Sequence, residues 1–358
     1  MYTACQSMDL KKGDVVLTPV FDCDSTLTPF RVLGLTFEFY RSDPYTFEVD
    51  IEDIKNRITP KVKLLHVINH FGMPQPWDSL LDLRKETGIP ILEDNAFSLF
   101  STFKGKPFGF FGDFSIFSLY KMLPLIDGGM LRLNNTEYSV EMPARVQKWF
   151  YPPERKKAIG LIASKFGYNH LPAVFRNWLS PAGTPFPPLY SDKPGYPDWD
   201  LRDAVFDSFS CDYFRPMSKI AQIQLKKFSV NDFNAAKAEI MHYYKYIVGR
   251  LKTVKGIRVL WQEIPEGTVP ACVSVLIDTH RDDILYSLKA KKFGVLAWPT
   301  FSGDVIDRTD EFPEIEIIGR KILQLMIPTH RVIKKSADSY FKSLVDEVIN
   351  SNNSFLLK

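Results

Sequence analysis

The first third of the chain alternates short apolar runs with amphipathic stretches, the pattern of βα units around a largely parallel sheet. Val15 to Leu17 runs into Thr18-Pro19, Leu33 to Tyr40 is apolar and aromatic, and Leu64 to Ile68 and Ile89 to Leu92 read as buried strands. Between them, Asp50 to Arg57 and Trp77 to Thr87 carry helical spacing, the second opening on Trp77-Asp78-Ser79 as a capping signal. Two further strands are predicted at Phe114 to Ser118 and Met130 to Leu133. From Pro143 to Asp200 the pattern breaks: Trp, Tyr, Phe and Pro predominate, and the prolines stop any long helix. A long helix is then predicted from Pro216 to Lys252, followed by strands at Ile257 to Leu260, Ala271 to Ile277, Gly294 to Leu296 and Leu323 to Ile327. Helices at Asp282 to Lys291 and Ser336 to Asn350 complete that tail. The expected fold class is α/β. Residues 1–215 form a large domain with a mostly parallel sheet and an aromatic and basic insertion at 143–200, and residues 216–358 a linking helix and a small C-terminal α+β domain.

Composition narrows the function classes. The 45 Lys and Arg against 42 Asp and Glu leave a net charge of +3, too even for the broad basic field that non-specific nucleic-acid binding needs. Cys5, Cys23, Cys211 and Cys272 lie far apart, without a C-x-x-C pair, and read as reduced thiols. No secretory signal stands at the N-terminus, and no apolar run approaches the roughly 18 residues of a membrane span, so a cytoplasmic location is expected. His70, His170 and His330 lack metal-ligand spacing, and no metal is expected. Lys148 to Trp178 mixes basic and aromatic residues with almost no acid; such a segment can cover a dimer interface, lie on an anionic membrane surface or grip a lipid-linked substrate.

The chemistry concentrates between Pro90 and Leu133. Ligands of an open parallel sheet gather beyond the carboxyl ends of its strands, and the acidic pair Glu93-Asp94 terminates one apolar strand there. Lys121 follows the next predicted strand, preceded by Ser118 and followed by Asp127-Gly128-Gly129. A lysine and a buried carboxylate facing one crevice suit Schiff-base chemistry: the carboxylate keeps a pyridinium nitrogen protonated, and the lysine holds an aldehyde and moves a proton. Each residue also has a plainer reading: Asp94 as a cap, Lys121 as a solvated lysine, Ser118 as a strand-end hydroxyl, and the glycines as a tight turn.

The run EDNAFSLFSTFKGKPFGFFGDFSIFSLYKMLPLIDGG, from Glu93 to Gly129, resembles the core signature of the DegT/DnrJ/EryC1/StrS aminotransferases, a fold-type I family dependent on pyridoxal 5'-phosphate. KKGDVVLTPVFDCDS, ITPKVKLLHVINHFGMPQPWDSL and MSKIAQIQLKKF resemble further elements of that family in the same order, and the resemblance covers most of the chain except 143–200. It implies a fold-type I large domain with Lys121 as Schiff-base lysine and catalytic acid/base. Asp94 would stand on the pyridine nitrogen and Ser118 on the phosphate, with Phe97, Cys23 and Asn69 beside the cofactor. It further implies a homodimer whose sites are completed by the partner chain, and transfer of an amino group, typically from glutamate, to a keto-sugar or related carbonyl compound in polysaccharide or secondary-metabolite biosynthesis.

Several positions depart from the family pattern. Phe97 stands where most members have Gln or His, Cys23 where an aromatic stacks on the ring, and Asn69 where a histidine is usual. Lys121 follows Ser118 by three residues where five are common, and the family's phosphate-binding turn would precede Met1. These departures motivate an alternative expectation, a fold-type I scaffold without cofactor acting as a binding or assembly subunit. A nicotinamide-dependent dehydrogenase ranks last, because no G-x-G-x-x-G follows the first strand. Arg331 and Arg215 are candidate carboxylate or phosphate contacts on the strength of guanidinium fork geometry.

Overall fold

The computed structural model describes residues 1–140, 216–327 and 337–356. After a short helix α1 (Tyr2–Ser7), strands β1 (Val15–Pro19), β2 (Thr36–Tyr40), β3 (Val62–Ile68) and β4 (Ile91–Asp94) alternate with helices α2 (Asp24–Val32), α3 (Ile51–Arg57) and α4 (Trp77–Thr87). A small hairpin, β5 (Thr102–Phe103) and β6 (Lys106–Pro107), precedes β7 (Phe114–Phe117), the one-turn helix α5 (Leu119–Met122) and β8 (Met130–Leu133). The six-stranded sheet has the order β2-β1-β3-β4-β7-β8. Its pairs are parallel except the edge pair β7–β8. In β3 every residue but Lys63 is buried, as a central strand covered on both faces requires.

Local chemistry explains where the helices begin. At α3 the Asp50 side chain accepts the Asp53 N–H at 3.0 Å, a regular N-cap. The polar cap expected at Trp77-Asp78-Ser79 does not form; Pro76 is the capping residue and makes no side-chain bond to the helix. Packing sets that start instead: Trp77 is fully buried, stacks on Phe111 with centroids 5.0 Å apart, and donates its indole N–H to Asn69 at 3.1 Å. Helix α4 then stops at Gly88 in the left-handed conformation.

The helix expected over 216–252 is two helices, α6 (Lys219–Lys226) and α7 (Val230–Leu251). The break comes from a capping box: the Asp232 N–H donates to Ser229 Oγ at 3.2 Å, and the Ser229 N–H donates to Asp232 Oδ2 at 2.8 Å. Beyond it lie β9 (Ile257–Val259), β10 (Cys272–Ile277), α8 (Arg281–Ala290), β11 (Val295–Leu296), α9 (Gly303–Ile306), α10 (Glu314–Lys321), β12 (Ile322–Met326) and α11 (Ala337–Leu356). The four strands form an antiparallel sheet of order β11-β12-β10-β9. Ile240, Ile247, Leu285, Leu288, Leu344 and Val348 from α7, α8 and α11 pack with Val273, Val275, Leu323 and Leu325 of that sheet. A second core, including Phe21, Phe30, Phe47, Phe71, Trp261, Phe301 and Phe312, joins residues of both sheet regions.

The junction between the two sheet regions depends on Gly72. Its φ is +97°, and a Cβ there would lie 2.5 Å from the Val269 carbonyl oxygen. Beside it the Ala271 N–H donates to the Phe71 carbonyl at 2.9 Å. Gly72→Ala is therefore expected to lower unfolding free energy by about 1–3 kcal/mol in a urea titration; an unchanged midpoint and slope contradict this account of the contact.

Candidate active site

Because β1, β3, β4 and β7 run parallel, their carboxyl ends share one edge of the sheet, and the candidate residues collect there. The acidic pair at the end of β4 divides its duties. Glu93 is fully buried and accepts five hydrogen bonds, from the N–H groups of Gly109 (2.7 Å), Phe111 (3.0 Å) and Gly112 (3.2 Å), from Ser115 Oγ (2.8 Å) and from Asn69 Nδ2 (3.2 Å). It holds the loop before β7 in place. Asp94 is also buried, but its Oδ1 takes only the Ala96 N–H at 2.8 Å, and its Oδ2 stands 3.6 Å from His66 Nε2. Burial pushes its carboxyl up, and His66, the Ala96 N–H and the charge of Lys121 outweigh that push, so it titrates below the usual carboxylate value.

Lys121 is the third residue of α5, just beyond the carboxyl end of β7, and its side chain is exposed. Its Nζ stands 4.1 Å from the centroid of the Phe97 ring, a cation–π contact. Phe97 is partly buried against both cores, its centroid 5.7 Å from that of Phe71, and it offers an apolar face where a hydrogen-bonding side chain was the family expectation. Ser118 precedes α5 and is half-buried. Cys23 precedes α2, with its Sγ 3.0 Å from Ser25 Oγ and 3.2 Å from Thr26 Oγ1, and its N–H donates to Asp22 Oδ1 at 2.7 Å.

Asn69, expected beside the cofactor, is buried and donates to Glu93. Besides Glu93 it donates to Asn95 Oδ1 at 2.7 Å, and its side-chain Oδ1 accepts from the Trp77 indole N–H, so it braces the loop that Glu93 holds. Asp127 is buried and accepts the Ser218 N–H at 3.0 Å, which fixes the Gly128-Gly129 turn against the segment entering α6. Arg215, Arg331, Cys211, His170, His330, the insertion at 143–200 and the basic, aromatic segment 148–178 lie outside the described residues.

Three buried polar side chains near Asp94 were missed by sequence reading: Asp22, His66 and His70. Burial pushes Asp22 up to about 7, against the pull of His66 and with the added push of Asp94. Burial pushes His70 down to about 3; its ring lies between Phe47 and Trp298, with centroids 5.2 Å and 5.4 Å away. The only sequence signals are a histidine inside the apolar run Leu64 to Ile68 and an aspartate directly after Val20-Phe21.

Both shifts predict pH-dependent stability, with opposite signs. Unfolded His70 binds a proton near its ordinary 6.5 while the folded state refuses it until about 3, so stability falls as pH drops through that window. Folded Asp22 keeps its proton to about 7 while the unfolded chain loses it near 3.8, so stability falls as pH rises between those values. Urea titrations from pH 4 to 7 are expected to show a shallower loss toward acid in His70→Gln and a steeper one in Asp22→Asn; slopes equal to the parent's contradict the assignment.

Residues 1–149, which contain Asp22, His66, Asp94, Ser118 and Lys121, match the model of the DegT/DnrJ/EryC1/StrS aminotransferase family. This part of the chain resembles that family. Among its relatives, GDP-perosamine synthase from Escherichia coli O157:H7 is 29% identical over 137 residues, 38% of this chain and 38% of that protein. The chain thus spans about two fifths of the length of the curated relatives it matches. Likeness of fold extends further. The aminotransferase TlmJ from Streptoalloteichus hindustanus superposes with a TM-score of 0.65 at 18% identity, covering 100% of this chain and 84% of that one. The E. coli GDP-4-keto-6-deoxy-D-mannose-3-dehydratase with bound hydrated PLP gives 0.59 at 18% identity, over 97% and 84% of the two chains. The α/β fold expected from the family signature is the fold of these proteins. Among the described residues no helix is long and apolar enough to cross a membrane.

Proposed function

We propose that the chain is a pyridoxal-phosphate-dependent aminotransferase acting on a keto-sugar, with glutamate as amino donor. The observation that carries this reading is the pairing of Asp94, a buried carboxylate held ionised, with Lys121, whose charge reaches it from the end of the next strand. That donor set fits the cofactor: an ionised carboxylate for the ring N–H, a primary amine for the aldehyde and the Ser118 hydroxyl for the phosphate. Phe97 supplies an aromatic wall rather than a donor.

When bound, pyridoxal phosphate supplies an aldehyde that takes up the amino group and a ring that accepts electrons. Asp94 would hold the proton on the ring nitrogen. Lys121 Nζ would hold the aldehyde and would move the proton at the α-carbon of the amino donor. The buried ring of Phe71 and the partly buried ring of Phe97 would give the site an apolar wall.

A nucleotide-linked sugar is the acceptor class this reading favours, since a family relative is a GDP-perosamine synthase. The reading includes a cytoplasmic homodimer, division into domains at 1–215 and 216–358, and anionic contacts from Arg215 and Arg331. It is tested by incubating the protein with pyridoxal phosphate, glutamate and a nucleotide-linked 4-keto-6-deoxyhexose. Release of 2-oxoglutarate in step with amino-sugar formation is expected; a cofactor-loaded protein that forms neither product overturns the substrate reading. The scaffold alternative is favoured by Phe97 and Cys23 and predicts a folded protein that takes up no cofactor.

A further inference from the structure

Among the buried polar groups that the proposed chemistry does not use, His66 has the most specific surroundings. It sits within β3 in the run Leu-Leu-His-Val-Ile and has no solvent exposure. An apolar side chain would fill a central strand position without the cost of burying an imidazole. Strand β3 lies between β1 and β4, and the ring spans both neighbours. Its Nδ1 is 2.9 Å from Thr18 Oγ1 and 3.7 Å from Asp22 Oδ2, and its Nε2 is 3.6 Å from Asp94 Oδ2. The Thr18 hydroxyl also stands 3.4 Å from Asp22 Oδ2. Phe30 packs edge-on against the ring at 5.8 Å, and Tyr40 Oη donates to the His66 carbonyl at 2.8 Å, so both the ring and its strand are fixed.

We propose that His66 is a positioning residue for Asp94, presenting a protonated Nε2 to the carboxylate while Thr18 and Asp22 fix the ring from the other side. The inference rests on the reading of Asp94 as partner of the cofactor's ring nitrogen. Its logic is donor and acceptor matching. Thr18 Oγ1 has one proton to donate and stands closer to Nδ1, at 2.9 Å, than to Asp22 Oδ2, at 3.4 Å; directed to Nδ1, it leaves the ring proton for Nε2. Nε2 then directs an N–H toward an ionised oxygen; without that proton, two sets of lone pairs would face each other in a buried space. With the Ala96 N–H on Oδ1 and His66 beside Oδ2, both oxygens of Asp94 are oriented from inside the fold. His70, Lys121 and the amino group of Met1 also lie within electrostatic reach of Asp94.

Two measurements on the full chain test this. The first is long-range 1H–15N NMR of the cofactor-free protein labelled with 15N-histidine, with the His66 signals assigned by their loss in His66→Gln. An Nε2 resonance in the protonated range is expected, and an unprotonated Nε2 overturns the proposal. The second is a titration with pyridoxal phosphate followed by absorbance, with folding checked by circular dichroism. His66→Leu is expected to weaken binding by about tenfold or more, and His66→Gln, whose amide N–H can occupy the Nε2 position, to recover most of that loss. A folded Leu variant that binds as tightly as the parent overturns it. If the parent binds no pyridoxal phosphate, the functional reading fails, and the NMR result still decides which nitrogen of His66 carries the proton.

Discussion

Lys121→Ala is expected to lose pyridoxal phosphate on gel filtration and to slow amino transfer by about 10²- to 10⁴-fold. The amine at this position is asked to do two things, to hold the aldehyde between turnovers and to carry a proton to and from carbon, and alanine can do neither. The fold should be indifferent to the change, because the Lys121 side chain is exposed and rests on the face of Phe97. Near-parent stability with loss of function is therefore the expected combination, read by a urea titration alongside the amino-transfer assay. Lys104→Ala is the matched control. Lys104 is also exposed, pairs with Asp78 at 2.5 Å on the surface, and should lose nothing measurable in either assay.

Glu93→Ala is expected to have the opposite profile, a loss of about 3–5 kcal/mol in unfolding free energy before any question of activity arises. The substitution would leave the N–H groups of Gly109, Phe111 and Gly112, the hydroxyl of Ser115 and the amide of Asn69 without their shared acceptor, in a place water does not reach. Glu93→Gln should recover only part of the loss, since its amide carries a donor into a pocket already full of donors. Urea titration checks both variants, and a Glu93→Gln protein within error of the parent contradicts the account. Adjacent Asp94→Asn should behave differently, with modest change in stability and weakened retention of the cofactor, because the Asp94 carboxylate takes a backbone hydrogen bond from Ala96 on one oxygen and faces His66 with the other.

That contrast within one dipeptide marks where sequence reading reaches its limit. A strand with side chains alternating between faces sends Glu93 and Asp94 in opposite directions, but only the fold shows that one direction holds a loop and the other opens on the site. The inner strands of the large sheet were legible because buried parallel strands are short apolar runs, and the antiparallel edge strand β8 also falls on the expected range, Met130 to Leu133. Helices α2 and α10 were not anticipated: Pro29 lies inside the first and Pro313 caps the second, and each reads as a breaker in isolation. The break between α6 and α7 was written in Ser229 and Asp232, a three-residue spacing that reads as a cap only when it interrupts an apolar pattern. In the site, Asp94 and Lys121 stood out because strand ends are where such chemistry gathers. The bonds of Asn69 could not be read from sequence, because its partners, Trp77 and Asn95, come from other segments. His66 went unnoticed for the same reason: Thr18 and Asp94 lie on strands that meet β3 only in the folded sheet.

Lys121 is expected to be the lysine that holds pyridoxal phosphate opposite Asp94. This is tested most directly by loading the full chain with the cofactor, reducing with borohydride, digesting and mapping the modified peptide by mass spectrometry. A single pyridoxyl label on Lys121, absent from Lys121→Ala, is the predicted result. No label, or a label spread over surface lysines and unchanged in that variant, would contradict it.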